Sequence, residues 1–394
     1  MAVIRRLLLA FIIFTFFSCQ GTDDFNENDK KVKGVSDSEI VIGSSLAMGG
    51  HASYLGTQIK NGAISYIQKI NNTGGIFGRK IKLITLDDKY DPPLCLINTQ
   101  DLIIKQKAFS LFCYVGTPTT EKILPMIEEA GIPLVGIFTG AHILRDPKYK
   151  SIINVRASYY QETAAAVKYF IETRKTERFA VFYQYDAYGF DGLRGTETAL
   201  REYNKVPVAT GKYIRGTLDI EKGLKKIIKS KAQAVFLIGT YGPCAKFIIE
   251  SKKRGYKGLF YNVSFVGAKA LLEKTGKYGE GVIVSQVVPP PDFAVDSPAL
   301  WGIKQYKIDL KKSFPNESPN YVSLEGYINA RVLVEGLKRA GKDLTRQKFI
   351  QAIESIKNFD LGIQSNLTFS ENDHQGLDRV YFTEIKNGKL VLIK

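Results

Sequence analysis

From Glu39 onward, short apolar runs alternate with longer stretches whose apolar residues recur every three to four positions. That alternation restricts the chain more than any single motif does. Glu39–Gly43, Lys80–Asp87, Ala108–Val115 and Ile132–Phe138 read as strands, interleaved with helices over Tyr54–Asn72, Pro92–Lys105 and Thr119–Ala130. In the first helix Ile59, Ala63, Ile67 and Ile70 share a face, and glycines at 74, 75 and 78 close it. A second run follows Tyr160. Its strands are Arg178–Gln184, Val206–Tyr213, Ala234–Gly239 and Gly281–Val288, and its helices Gln161–Arg174, Gly189–Tyr203, Asp219–Ser230 and Pro243–Arg254. Three helices (Ala299–Ser313, Val322–Ala340, Arg346–Ile356) and short strands near Leu367–Phe369, Val380–Ile385 and Leu390–Ile393 end the chain. Alternating strands and helices demand parallel sheets covered on both faces. Two such runs predict an α/β protein of two doubly wound parallel-sheet lobes.

The first residues belong to neither run. Arg5 and Arg6 precede an apolar stretch from Leu7 to Phe17, eleven residues against the about 20 that a spanning helix needs. A basic start with a short apolar core reads as an export signal over residues 1–18. Cys19 directly follows Ser18, so the segment resembles a bacterial lipoprotein signal in which Cys19 is lipidated. Phe16, three residues before Cys19, stands where such signals usually carry leucine. Residues 19–36, polar and poor in apolar side chains, read as a tether. The expected location is therefore outside the cytoplasm, periplasmic or at the cell surface, anchored by an N-terminal lipid.

Composition then removes other classes. The 394 residues carry 55 Lys+Arg against 39 Asp+Glu, a net charge of +16. The basic clusters Lys225–Lys231 and Lys252–Lys257 lie on amphipathic helical patterns and read as solvated faces, and no aromatic-interleaved patch argues for nucleic acid. Four cysteines (Cys19, Cys95, Cys113, Cys244) and three scattered histidines (His51, His142, His374) supply neither a disulfide scaffold nor a metal set. No G-x-G-x-x-G follows the first strand, and there is no phosphate-cradling loop and no nucleophile elbow. The Asp87-Asp88 pair reads as a turn feature. The expectation is a binding fold with no catalytic residues, no cofactor and no metal.

Ligands of open α/β sheets sit beyond the carboxyl ends of strands. After one strand stands Gly116-Thr117-Pro118-Thr119-Thr120, at a helix start where free N–H groups and hydroxyls suit a carboxylate; Thr117 or Thr119 could equally cap the helix. After the next strand come Thr139-Gly140-Ala141, small enough for close backbone approach. Tyr188 and Tyr241 follow equivalent strands of the second run, each an apolar surface with a polar tip.

With Gly43-Ser44-Ser45-Leu46-Ala47, Ile70-Asn71 through Gly74-Gly75-Ile76-Phe77-Gly78-Arg79, Asp91-Pro92, Gly116-Thr117-Pro118-Thr119, Arg156-Ala157-Ser158 and Tyr188-Gly189, the chain resembles the leucine/isoleucine/valine-binding type of periplasmic solute-binding protein. The likeness runs from about Ser36 to the C-terminus, and Ile70–Arg79 is its most specific piece. It implies a type I periplasmic binding protein: two lobes joined by three crossover segments, closing over a small ligand and delivering it to an ABC permease. The lobes would be residues 37–155 with 288–360, and 156–287 with 361–394, crossing near 154–157, 287–291 and 359–363. A monomer is expected.

By position, the resemblance makes Thr117 the hydroxyl and backbone anchor of a ligand carboxylate, with Phe138 to Gly140 as a second anchor in which Thr139 can supply the hydroxyl. Tyr188 and Tyr241 become aromatic contacts from the other lobe, and Tyr54 or Leu55 a wall of the first. Ser264 stands where amino-acid binders of this type carry the acid that holds the ligand's ammonium. An uncharged-tail or aromatic carboxylate, or another small polar molecule, is therefore expected as readily as an amino acid. The family's disulfide cysteines fall on Tyr90 and Gly116, so that bridge is missing, and whether Cys95 and Cys113 form another is open. A membrane-tethered sensor of the same fold, signalling to a partner protein, is the alternative; a permease gene nearby favours the receptor.

Overall fold

The computed structural model describes residues 32–292 and 297–393. The expected export signal and Cys19 lie outside them. Val32 to Ser36, assigned to the tether from sequence, are already part of the fold. Gly34 turns the chain, Val35 bridges Ile40, and both valines pack on the core.

The first lobe is built from β1 (Glu39–Leu46), α1 (Ser53–Asn72), β2 (Lys80–Asp87), α2 (Pro92–Ile104), β3 (Ser110–Phe112), α3 (Thr117–Ala130), β4 (Leu134–Val135) and β5 (Ile152–Ile153). The second holds α4 (Tyr159–Glu172), β6 (Phe179–Gln184), α5 (Ala187–Arg201), β7 (Ala209–Tyr213), α6 (Glu221–Lys229), β8 (Ala234–Ile238), α7 (Tyr241–Lys253), β9 (Leu259–Asn262), α8 (Ala268–Thr275) and β10 (Ile283–Gln286). The chain then returns to the first lobe with α9 (Trp301–Ser313), α10 (Tyr321–Ala340) and α11 (Arg346–Glu354). A small hairpin, β11 (Phe359–Asp360) and β12 (Asn366–Leu367), precedes β13 (Tyr381–Lys386) and β14 (Lys389–Leu392).

The five strands of the first sheet run parallel in the order β2-β1-β3-β4-β5. The second sheet has seven strands, β14-β13-β10-β9-β8-β6-β7. It is mixed rather than purely parallel, because β13 runs antiparallel to β10 and β14 to β13. The cause is local. Asn387 (φ 50°) and Gly388 (φ 69°) both take positive φ, the requirement of a tight hairpin turn whose twist matches its strands. β9 and α8 have no counterpart among the elements read from sequence. Strand order reverses between β1 and β3 in one lobe and between β6 and β8 in the other, so each lobe offers a crevice at those strand ends.

Candidate functional site

In the first lobe, the ladders of β3 and β4 both stop where the backbone turns left-handed, at Cys113 (φ 54°) and Gly136 (φ 69°). Asn329 of α10 is wedged there, its Nδ2 donating to the Gly136 carbonyl at 2.9 Å. Past this kink the two segments pair again at Val115 and Phe138, which aims residues 116–117 and 138–140 at the cleft. Gly116 (φ 95°) opens α3, and a Cβ there would sit 2.1 Å from the Tyr90 ring, so only glycine admits that ring. The Thr117 and Thr139 hydroxyls are 2.7 Å apart, and the Thr139 Oγ1 donates to the Tyr159 hydroxyl at 3.1 Å. Burial raises the Tyr159 pKa further, which keeps the phenol a neutral donor. Neither threonine caps the helix. Thr119 turns its hydroxyl back onto the Val115 and Gly116 carbonyls, so of the two only Thr117 reaches the cleft. At Gly140 a Cβ would meet Tyr159 at 2.6 Å, so its missing side chain admits that ring rather than a ligand.

In the second lobe, Asp186 caps α5 by accepting from the Tyr188 N–H and pairs with Arg215 at 3.1 Å. The cap holds Tyr188 fully buried, its hydroxyl donating to the Gly239 carbonyl at 3.4 Å. Tyr241 begins α7 and reaches across the cleft: its hydroxyl accepts from the Tyr54 N–H at 3.4 Å, with the two rings edge to face at 6.1 Å. The Tyr54 hydroxyl is buried without a partner. Gln184 bridges the lobes too, donating to the Tyr90 hydroxyl at 3.4 Å. The two lobes are therefore closed on one another, and Thr117, Phe138, Thr139, Tyr188, Tyr241 and Ser264 are all buried.

Known proteins share this fold. The sequence profile of the family described as "Periplasmic binding protein" fits residues 39–389. The chain belongs to the periplasmic binding protein family. A crystal structure of a possible leucine/isoleucine/valine-binding protein from Rhodopirellula baltica SH 1 superposes with a TM-score of 0.86 at 31% identity, covering 92% of this chain and 98% of that one. The Leu/Ile/Val-binding protein homolog 7 of Brucella abortus is 21% identical over 366 residues, 90% of this chain and 91% of its own. The Leu/Ile/Val-binding protein of Escherichia coli K12 is 22% identical over 268 residues, 68% and 73% of the two. These relatives are binding proteins, not enzymes.

Within this periplasmic binding protein the site holds groups that the sequence left unassigned. Arg156, on the first passage between lobes, is buried with Glu162 of α4 at 3.1 Å and Glu325 of α10 at 3.4 Å. Ser264 belongs to this cluster. Its N–H and hydroxyl donate to Glu162 at 2.8 and 2.9 Å, and its Oγ accepts from Arg156. The serine thus carries no charge to a ligand, and the nearest acid is already neutralised. Phe265, next in sequence, crosses the cleft to contact Tyr90 and Phe138. It lies in an apolar run between Gly258 and Gly267 whose spacing marks a strand and turn. A lone arginine directly after the largely apolar Ile152-Ile153-Asn154-Val155 likewise signals buried acidic partners.

Asp87 and Asp88 accept from the turn around them, Asp87 from the N–H groups of Met48, Gly49 and Lys89, Asp88 from Ser45 and the Tyr90 N–H. Burial, then Arg215, lowers the His51 pKa and keeps that imidazole neutral. Cys95, Cys113 and Cys244 are buried free thiols. Among the described residues no His/Cys/Asp/Glu group could hold a metal and no helix is long and apolar enough to cross a membrane. An open groove of about 510 Å³ is lined by Arg145, His374 and Gln375 among others, and none of Thr117, Phe138, Thr139, Tyr188, Tyr241 and Ser264 lines it.

Proposed function

We propose that this chain is the solute receptor of an ABC importer, which captures a small organic molecule of amino-acid or carboxylate type by hinge closure. The observation that carries the reading is convergence. Thr117 and Thr139 follow β3 and β4, and Tyr188 and Tyr241 lie in the first turns of the helices after β6 and β8. Tyr188 packs on Tyr159, to which Thr139 donates, and Tyr241 reaches Tyr54 of the other lobe. Contacts split between two lobes are complete only when the lobes shut, so ligand shifts the population toward the closed form. The closed form is what a permease would recognise. Lipidation at Cys19 would hold the receptor at the membrane, with residues 1–18 removed on export. In this reading the lobes divide at the three passages, after β5, after β10 and between α11 and β13.

The test is a melting screen of the mature chain against amino acids and small carboxylates, followed by small-angle scattering. A true ligand raises the melting temperature, because it binds only the native state, and shrinks the radius of gyration. A chain whose melting and size answer to no member of the panel, or a solute that is chemically changed, defeats the reading.

A further inference from the structure

Three observations at the same cleft, taken on the receptor reading above, narrow the ligand class. The first is a count of protons. Thr117, Thr139 and Tyr159 carry three hydroxyl protons but make two hydrogen bonds among themselves, and all three residues are at most 1% exposed. With Thr139 donating to Tyr159 and Thr117 to Thr139, the Tyr159 proton has no acceptor, and a buried donor without one is costly. At the start of α3 the Gly116 N–H donates to Phe138, the Thr120 N–H to Gly116, and Pro118 has none, which leaves the N–H groups of Thr117 and Thr119 as donors.

The second concerns charge. The carboxylates within reach already have partners: Glu162 has Arg156, Ser264 and Ser285, Asp186 has Arg215, Gln184 and the Tyr188 N–H, Asp88 has Ser45 and the Tyr90 N–H, and Glu325, whose Oε1 makes no hydrogen bond, faces Arg156 at 3.4 Å. Arg156 lies 5.1 Å from the Phe138 ring centre with its Nε unpartnered. The one carboxylate oxygen without a hydrogen bond is therefore Glu325's, and an ammonium would have to take it from Arg156, whereas a carboxylate needs only the hydroxyl proton and N–H groups at the start of α3. The third is the wall. Phe265 stands 4.8 Å from Tyr188, 5.4 Å from Phe138 and 5.9 Å from Tyr90, and Tyr188 stands 5.3 Å from Tyr159. Rings from both lobes surround the hydroxyls, the setting in which another ring gains edge-to-face contacts.

We propose that the solute is an aromatic monocarboxylate without an ammonium group, its carboxylate on Thr117, Tyr159 and the start of α3 and its ring among Tyr90, Tyr188 and Phe265. Calorimetric titration with four probes separates the elements of this proposal: phenylpropionate, phenylalanine, isocaproate and leucine, which differ only in ring and ammonium. Phenylpropionate is expected to bind, phenylalanine roughly 100-fold more weakly because its ammonium is buried unpaired, and isocaproate roughly tenfold more weakly for want of a ring. Thr117→Val should weaken phenylpropionate while the melting transition without ligand stays near that of the parent. Phenylalanine or leucine binding as tightly as its deaminated partner overturns the ammonium exclusion, and isocaproate matching phenylpropionate overturns the aromatic assignment; either leaves the receptor standing. Failure of all four, together with failure of the wider melting screen, removes the proposal and the receptor with it.

Discussion

Arg156 is the residue on which both lobes lean, and its two carboxylates are not equivalent. Glu162 accepts four hydrogen bonds, from Arg156, twice from Ser264 and from Ser285. Glu325 faces Arg156 without a hydrogen bond to its Oε1. Burial pushes the Glu325 pKa up to about 7, against the pull of Arg156 and, at greater range, Arg145, and with Glu162 adding to the rise. A carboxyl that binds its proton more tightly folded than unfolded adds stability at low pH. That contribution is lost as pH rises from the unfolded value near 4.5 through about 7. Glu325→Gln removes the titration and leaves the Arg156–Glu162 pair neutral overall. Thermal melts should therefore place the variant near the parent at pH 5 and further above it at pH 8. An offset that is the same at both pH values would show that Glu325 is already ionised at pH 5. Tyr188 calls for a gentler substitution. Its ring is buried against Tyr159 and Phe265, so Tyr188→Ala would open a cavity costing about 3–5 kcal/mol and confuse folding with binding, whereas Tyr188→Phe removes the hydroxyl alone.

Among the elements, α1 and α10 approach one another very closely. A Cβ on Gly62 would lie 1.7 Å from the Ser323 carbonyl oxygen, and one on Gly326 would lie 2.1 Å from that of Ile59. Backbone stands against backbone, so nothing flexible can give way. Gly62→Ala should lower stability by about 1–3 kcal/mol, read as a fall in melting temperature, even though alanine is the better helix former. A variant that melts at or above the parent would mean the helices are not this close. From sequence the glycines stood in a strongly amphipathic pattern and raised no flag, because close approach depends on a partner more than 250 positions away. Legibility follows that divide. Lys80–Asp87 and α1 to within one residue could be read from periodicity, since the signal is local. The kink at Cys113 and Gly136 could not, because Asn329 imposes it from another helix. β9 and α8 were lost because each is short and flanked by glycines, and with them went Phe265. The turn at Asn387-Gly388 was legible in principle, and with it the antiparallel edge of the second sheet.

At the scale of the whole molecule the question is whether closure is a step or a fixed state. The first lobe is laid down in two passes, β1 to β5 and then α9 to α11, so the chain passes between the lobes three times, and on the proposed reading these passages are the hinge. Across the mouth, the Lys269 Nζ of α8 donates to the Ser318 hydroxyl ahead of α10 at 2.6 Å, both at the exposed rim. Cysteines placed at 269 and 318 can be bridged by a short bismaleimide, and the native Cys95, Cys113 and Cys244 are too buried to compete. If solute enters only when the lobes part, bridging before solute is added abolishes uptake, and bridging afterwards abolishes release. The unbridged double variant must bind as the parent does, since an exposed hydrogen bond of this kind contributes little. Free exchange in both bridged forms would mean that solute reaches the site without the lobes moving. The buried hydroxyls and rings would then belong to the fold's interior rather than to a cleft, and the assignment of Thr117, Thr139, Tyr188 and Tyr241 would fall with it.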